Sequence, residues 1–424
     1  MEHLTAHSQT SARILKLSNG LTVAMERLPY LRTVACGIWI RCGSANERPE
    51  EAGISHFLEH LFFKGTTTRS ALQLVEPIER RGGQINAFTA RDYTCLYVKV
   101  LDTQVTTGIE ILCDMLKNSQ YIDLEKERNV ILEEIASAED VPEDFAHDCF
   151  ISRTWPDHSL GRPIAGSVET VSNLGKDEVR RYFETWYRPE NMFVSVAGNF
   201  DEDVVLAQIV AELESFPASK VPAEIAAPAF IPGVEYVQRE IGQSHLCFGF
   251  PAPKAGNDKR YAYDVLCSAL GGGSTSRLFQ RVREEEGLAY SIYSYMSSHF
   301  LTGILGVYAA VAPENLWKAL ELSTQEIKSI RDQGMTADEL DLNREQLKGG
   351  MLMALENTFN RMARLAKSLM YHGRLIPVEE VIERIDAVTL DQIHEVAEVT
   401  FRSDTASMLV LGPLPDQPVE SIPL

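Results

Sequence analysis

The chain has 424 residues, 45% of them apolar and 24% charged, and a formal net charge of −20. Those proportions exclude a disordered or fibrous chain, and the length implies at least two domains, since single cores stop growing at about 250–300 residues. The acidic balance argues against nucleic acid as a partner, because polyphosphate would be repelled, whereas a basic peptide would be attracted.

No apolar run reaches the roughly 18 residues needed to cross a bilayer. Met1-Glu2-His3-Leu4-Thr5-Ala6-His7-Ser8-Gln9 lacks the basic-then-apolar layout of a secretory signal. The expectation is a cytoplasmic protein with no membrane partner. Seven cysteines (36, 42, 95, 113, 149, 247 and 267) include no C-x-x-C pair, which predicts reduced, buried thiols in place of a disulfide framework.

In chain order, Ser11 to Glu26 reads as a hairpin turning at Asn19-Gly20, the strongest short-range signal for that motif. A strand follows over Thr33 to Arg41. After the loop Cys42 to Gly53 the run Ile54 to Lys64 is apolar and free of Pro and Gly, and it reads as a helix. Ala71 to Arg81 is a second helix, stopped by Gly82-Gly83. Gln84 to Ala90 and Thr94 to Val100 are expected as paired strands; at a sheet edge the first would offer free backbone groups to an extended peptide. Helices are predicted over Thr106 to Asn118, from Asp123 through Ala136, over Asp177 to Tyr187 and over Glu202 to Ser215, with an apolar strand at Met192 to Ala197.

Phe216 to Gly233 is rich in Pro and Ala and reads as a linker, so that residues 1–215 and 234–424 form separate domains. Beyond it the pattern of strand, loop and helix begins again: strands at Glu235 to Glu240 and His245 to Phe250, then a helix from Tyr261 to Leu270. A strand at Leu301 to Ala310, a helix over Pro313 to Asp332, a helical stretch Thr336 to Met370 interrupted at Gly349-Gly350, and a closing strand Ala406 to Leu411 complete the chain. This is the signature of an internal duplication. The second copy of the first helix carries Tyr263-Asp264-Val265-Leu266-Cys267 and has no ligand chemistry.

The first copy of that helix carries His56-Phe57-Leu58-Glu59-His60. Residues four apart share a helix face, so both imidazoles meet one side, with Glu59 beside them. This spacing suits a zinc ion with a carboxylate base next to it. A catalytic zinc needs a third protein ligand. Glu127 and Glu134 are seven apart and differ by about 20° in helical phase, so both face one site and both remain open as that ligand; Glu133 points elsewhere.

At this point the chain resembles the pitrilysin, insulysin and mitochondrial processing peptidase family of inverted zincins. The resemblance lies in His56 to His60, Glu127-Arg128-Asn129-Val130-Ile131-Leu132-Glu133-Glu134, the strand Gly82 to Thr89, and Arg283 to Tyr290. It implies that Glu134 is the third Zn2+ ligand, that Glu127 is an outer carboxylate orienting a ligand histidine, and that Glu59 is the general base on a zinc-activated water. It further implies that Asn86, Ala87 and Phe88 pair with substrate, and that Arg283 and Tyr290 hold the substrate backbone. The expected fold is α+β, with two tandem homologous domains, each a mainly antiparallel sheet packed with helices.

The function implied is a zinc metalloendopeptidase that cuts unfolded peptides, basic ones favoured, in an enclosed chamber formed by a homodimer. The alternative is a non-catalytic peptide-binding or assembly subunit of the same fold. Gly271-Gly272-Gly273-Ser274-Thr275-Ser276 lacks the Gly-Lys-Ser/Thr ending of a phosphate-binding loop and resembles the glycine-rich loop of the processing peptidases.

Overall fold

The computed structural model describes residues 12–218, 220–222, 225–413 and 418–424. The N-terminal stretch read for a leader, the first residue of the predicted hairpin, Ser11, and linker positions 219, 223 and 224 lie outside the described residues. The first half contains β1 (Arg13–Lys16), β2 (Thr22–Arg27), β3 (Thr33–Ile40), α1 (Ile54–Phe62), α2 (Ala71–Glu79), β4 (Gln84–Thr89), β5 (Thr94–Leu101), α3 (Val105–Asn118), α4 (Leu124–Asp140), α5 (Pro142–Thr154), α6 (Val168–Asn173), α7 (Lys176–Trp186), β6 (Met192–Gly198) and α8 (Glu202–Leu213). The second half contains β7 (Gly233–Gln238), β8 (Ser244–Ala252), α9 (Arg260–Gly271), a π-helical turn Phe279–Glu285, β9 (Ala289–Ser298), β10 (Gly303–Val311), α10 (Leu316–Gln333), α11 (Ala337–Ala354), α12 (Thr358–His372), α13 (Val378–Asp386), α14 (Leu390–Thr400) and β11 (Ser407–Gly412).

These strands build two sheets, in the orders β1-β2-β6-β3-β5-β4 and β7-β11-β8-β10-β9. Each is antiparallel except for one parallel pair, β2 with β6 and β7 with β11, where an early strand of a half lies beside its closing one. With β1 set aside, the two orders coincide strand for strand, so the repeat seen in the sequence is also a repeat of topology. The fold is α+β, with two similar sheets packed with helices.

The chain divides into two compact units that are not continuous in sequence. The first comprises Met1–Leu132, Ile164–Glu224 and Ala354–Leu375, and the second Glu133–Pro163, Ile225–Met353 and Ile376–Leu424. Against the expected division into 1–215, 216–233 and 234–424, β7 already begins at Gly233 and two helices pack with the opposite half. α12, from the second half, packs on β2, β3 and β6, while α5, from the first half, packs on β8 and β11.

The seat of α12 is prepared in β3. A Cβ at Gly37 would come within 2.9 Å of the Met362 sulfur, so the missing side chain admits the helix. Arg361 Nη1 reaches the buried Glu26 carboxylate of β2 at 2.9 Å, and Leu365 and Leu369 pack on Ala24.

The break in the long helical stretch falls at residues 355–357, after the predicted Gly349-Gly350. Both glycines sit in α11 with open space where a Cβ would stand. The interruption is set instead by Asn357, whose Oδ1 caps α12 by accepting from Phe359 N at 2.9 Å. α5, α6, α13, α14 and β9 were not anticipated in the sequence as elements. All seven cysteines are unpaired, six buried and Cys149 half-buried, as their apolar surroundings implied. No described helix is long and apolar enough to cross a membrane.

Candidate metal centre

α1 begins at Gly53, whose φ of 94° and close approach to the Ala165 carbonyl (2.5 Å from an ideal Cβ) leave no room for a side chain. The Glu47 carboxylate, 4% exposed, accepts from Gly53 N at 2.8 Å and Ser55 N at 2.9 Å. An anion is thereby placed at the positive end of the helix, satisfying N–H groups that have no partner within it. Ser55 Oγ also meets the buried Tyr182 hydroxyl at 2.8 Å. Phe57, Leu58, Leu61 and Phe62 are buried, which turns the opposite face, with His56, Glu59 and His60, outward from the core.

His56 and His60 stack edge to face, with ring centroids 4.7 Å apart. Glu134 joins them: one ligand atom from each of the three residues lies within 4.8 Å of the others, and this is the one such group of three found among the described residues. The unit boundary between Leu132 and Glu133 falls inside α4, but that helix runs unbroken from Leu124 to Asp140. Two helical turns therefore tie Glu134 to Glu127.

Glu127 is 2% exposed, and its Oε2 lies 3.3 Å from His60 Nδ1. A carboxylate accepts, so the hydrogen in this contact is on His60 Nδ1, leaving Nε2 as the ring atom on the far side from Glu127. Burial, reinforced by the His60 ring, pulls His56 down to about 4, so that ring is neutral at pH 7 and can act as a ligand. Two imidazoles and a carboxylate form a donor set that fits zinc.

Thr89 Oγ1, at the end of β4, donates to Glu59 Oε2 at 2.6 Å. This bond fixes the carboxylate through one oxygen and connects α1 to the strand. β4 is the edge of its sheet, with Asn86 exposed, Ala87 buried and Phe88 half-buried. Ala87 N–H is taken by Asn86 Oδ1 at 2.9 Å, so it points away from the β5 ladder toward the open edge. Phe88 stacks edge-on against Trp39 at 5.7 Å.

The second unit brings Arg283 and Tyr290 together. Arg283 Nη1 donates to Tyr290 O at 2.5 Å, and the guanidinium lies between the Phe279 ring at 4.7 Å and the Tyr290 ring at 4.8 Å. The Tyr290 side chain is 81% exposed. Arg283 stands in the π-helical turn, a local irregularity of the kind that often marks functional positions. Glu47, Thr89 and Lys64, the last 2.8 Å from Glu127 Oε1, were missed in the sequence. Thr89 and Lys64 act on elements distant in the chain, Glu47 on the helix start six to eight residues ahead, and only the spacing of Lys64, four residues after His60, gave a signal.

Two family models match consecutive parts of the chain: insulinase (peptidase family M16) over residues 22–168 and the peptidase M16 inactive domain over 173–347. A zinc protease of Bacillus subtilis, itself named as uncharacterized, is 39% identical, the match covering 92% of this chain and 96% of that one. One of Streptomyces coelicolor, named in the same way, is 40% identical over 97% and 92%. Among solved structures, a protease from Helicobacter pylori has the same fold, with a TM-score of 0.89 at 21% identity over 95% of this chain and 100% of that one. A chain of complex III2 from Candida albicans also shares it, with a TM-score of 0.83 at 20% identity over 95% and 96%. With both halves matched in order and relatives aligned over nearly their whole length, the chain belongs to the insulinase (M16) peptidase family, as a single-chain form carrying both domains.

Proposed function

We propose that this chain is a zinc-dependent endopeptidase, with His56, His60 and Glu134 holding the metal and Glu59 acting as general base. The observation that carries this reading is the convergence of those three donor groups, two from α1 and one from α4, within 4.8 Å, with Glu59 of α1 hydrogen-bonded to the edge strand. Zinc bound there would acidify a water and polarise the scissile carbonyl. Glu59 takes the proton from the attacking water and passes it to the leaving amine. Thr89 orients the Glu59 carboxylate for this work through its bond to Oε2.

An extended peptide pairs with β4, where Ala87 offers its backbone once the Asn86 amide moves aside. Asn86, Ala87 and Phe88 thus align substrate along α1. Arg283 and Tyr290 hold the substrate backbone and stabilise charge on the carbonyl oxygen. The working form is a cytoplasmic homodimer enclosing a chamber that admits unfolded peptides, with acidic walls favouring basic ones.

The test is metal analysis of the purified protein together with cleavage of an unstructured peptide by wild type and Glu59→Gln. Bound zinc and a loss of about 10²- to 10⁴-fold in turnover with zinc content unchanged are expected. Protein without zinc, or Glu59→Gln as active as wild type, would leave a peptide-binding or assembly role in its place.

A further inference from the structure

We propose that Lys64 is a positioning residue for the metal centre, holding the Glu127 carboxylate where it fixes the His60 ring. The proposal rests on the zinc reading above, because metal affinity is the quantity it predicts.

Glu127 is almost wholly buried, and its two oxygens are divided between two partners. Oε2 faces His60 Nδ1 at 3.3 Å and Oε1 faces Lys64 Nζ at 2.8 Å. A buried carboxylate needs a compensating charge, and losing one partner of such a pair costs far more than losing an exposed ion pair. Of the two cations adjacent in sequence, Lys126 is exposed to solvent. Arg128 is committed to the Leu174 carbonyl at 2.7 Å and to Glu125 at 3.1 Å.

The backbone delivers Lys64 to this position. α1 ends at Phe62, but Phe63 keeps helical angles, and Lys64 N–H bonds Leu61 O at 3.2 Å. That extra turn sets Lys64 four residues beyond His60 on the same face. Gly65, at φ 121°, then diverts the chain into a bridge with Ser70. The lysine side chain is 26% exposed, so its stem is largely covered while its ammonium reaches inward. His60, Glu127 and Lys64 form a row in which the lysine sets the carboxylate and the carboxylate sets the imidazole, the arrangement by which outer residues tune a metal ligand.

The measurement is zinc affinity, by competition with a chromophoric chelator, for wild type, Lys64→Met, Lys64→Arg, Glu127→Gln and the double variant Lys64→Met/Glu127→Gln. Methionine keeps the stem and removes the charge. Lys64→Met should weaken zinc binding about 10- to 100-fold, and Lys64→Arg should restore most of it. In the Glu127→Gln background no buried carboxylate needs compensation, so adding Lys64→Met should cost nothing further. Should Lys64→Met alone fail to fold, the double variant is still expected to fold and to bind zinc like Glu127→Gln. Wild-type affinity in Lys64→Met, or a further loss in the double variant relative to Glu127→Gln, would overturn the role of Lys64. Wild-type protein that binds no zinc would overturn the zinc reading and this inference with it.

Discussion

α1 with β4 and α9 with β9 occupy matching places in two sheets of the same order, yet only the first pair presents ligand chemistry. In α1 the positions of interest are His56, Glu59 and His60, on the face turned from the core. Their counterparts in α9 are packing residues. Tyr263 is buried, its hydroxyl accepting from Thr400 Oγ1 at 2.7 Å. Leu266 is fully buried, and Cys267 is buried against Ser294 Oγ at 3.4 Å. The second helix has α13 and α14 packed on it, so a face that could have opened to substrate was closed by other helices. The duplication kept the scaffold in both copies, and what covers the helix separates a site from a core.

The comparison is sharpened most strongly by Glu59 against its counterpart Leu266. Glu59→Gln should abolish most turnover while the thermal midpoint barely moves. Arg283→Ala or Tyr290→Phe should lower turnover about 10- to 1000-fold without changing zinc content, as measured by kinetics beside metal analysis. If both variants turned over like wild type, the segment Arg283 to Tyr290 would have no part in the reaction. Leu266→Ala should do the reverse of Glu59→Gln, costing about 2–5 kcal/mol in denaturant unfolding while zinc binding stays intact. Zinc loss in folded Leu266→Ala would break the contrast between the two helices. The smallest effect belongs to the capping anion of α1. Glu47→Gln still accepts one N–H but turns its amide toward the other, for a loss of about 1 kcal/mol by the same measurement.

Much of the architecture was legible because its signals are local. The Asn19-Gly20 turn, the alternating strands and the helical spacing of His56 and His60 each depend on a few neighbouring residues. Choosing Glu134 over Glu127 needed more: both share a helix face, and only the resemblance separated them. The structure now distinguishes their surroundings, with Glu127 buried against His60 Nδ1 and Glu134 grouped with both imidazoles. Thr89 could not be read, since its partner Glu59 is 30 residues away and the contact exists only once β4 lies beside α1. The misplaced break in α11 has a similar cause. Gly349 and Gly350 lower helix propensity, but an exposed helix tolerates them, whereas the Asn357 cap fixes where the next helix starts.

The exchange of α5 and α12 between units bears on how the protein can be divided. A gene cut in the proline-rich linker would produce a first fragment that carries α5 without the sheet it covers and lacks α12, which covers its own. The second fragment would have the converse defect, with β8 and β11 exposed on one face. Each piece alone should therefore be insoluble or aggregate, while the two expressed together should complement one another. In this molecule the linker marks where the copies were joined in sequence, and it does not mark where the folded protein comes apart.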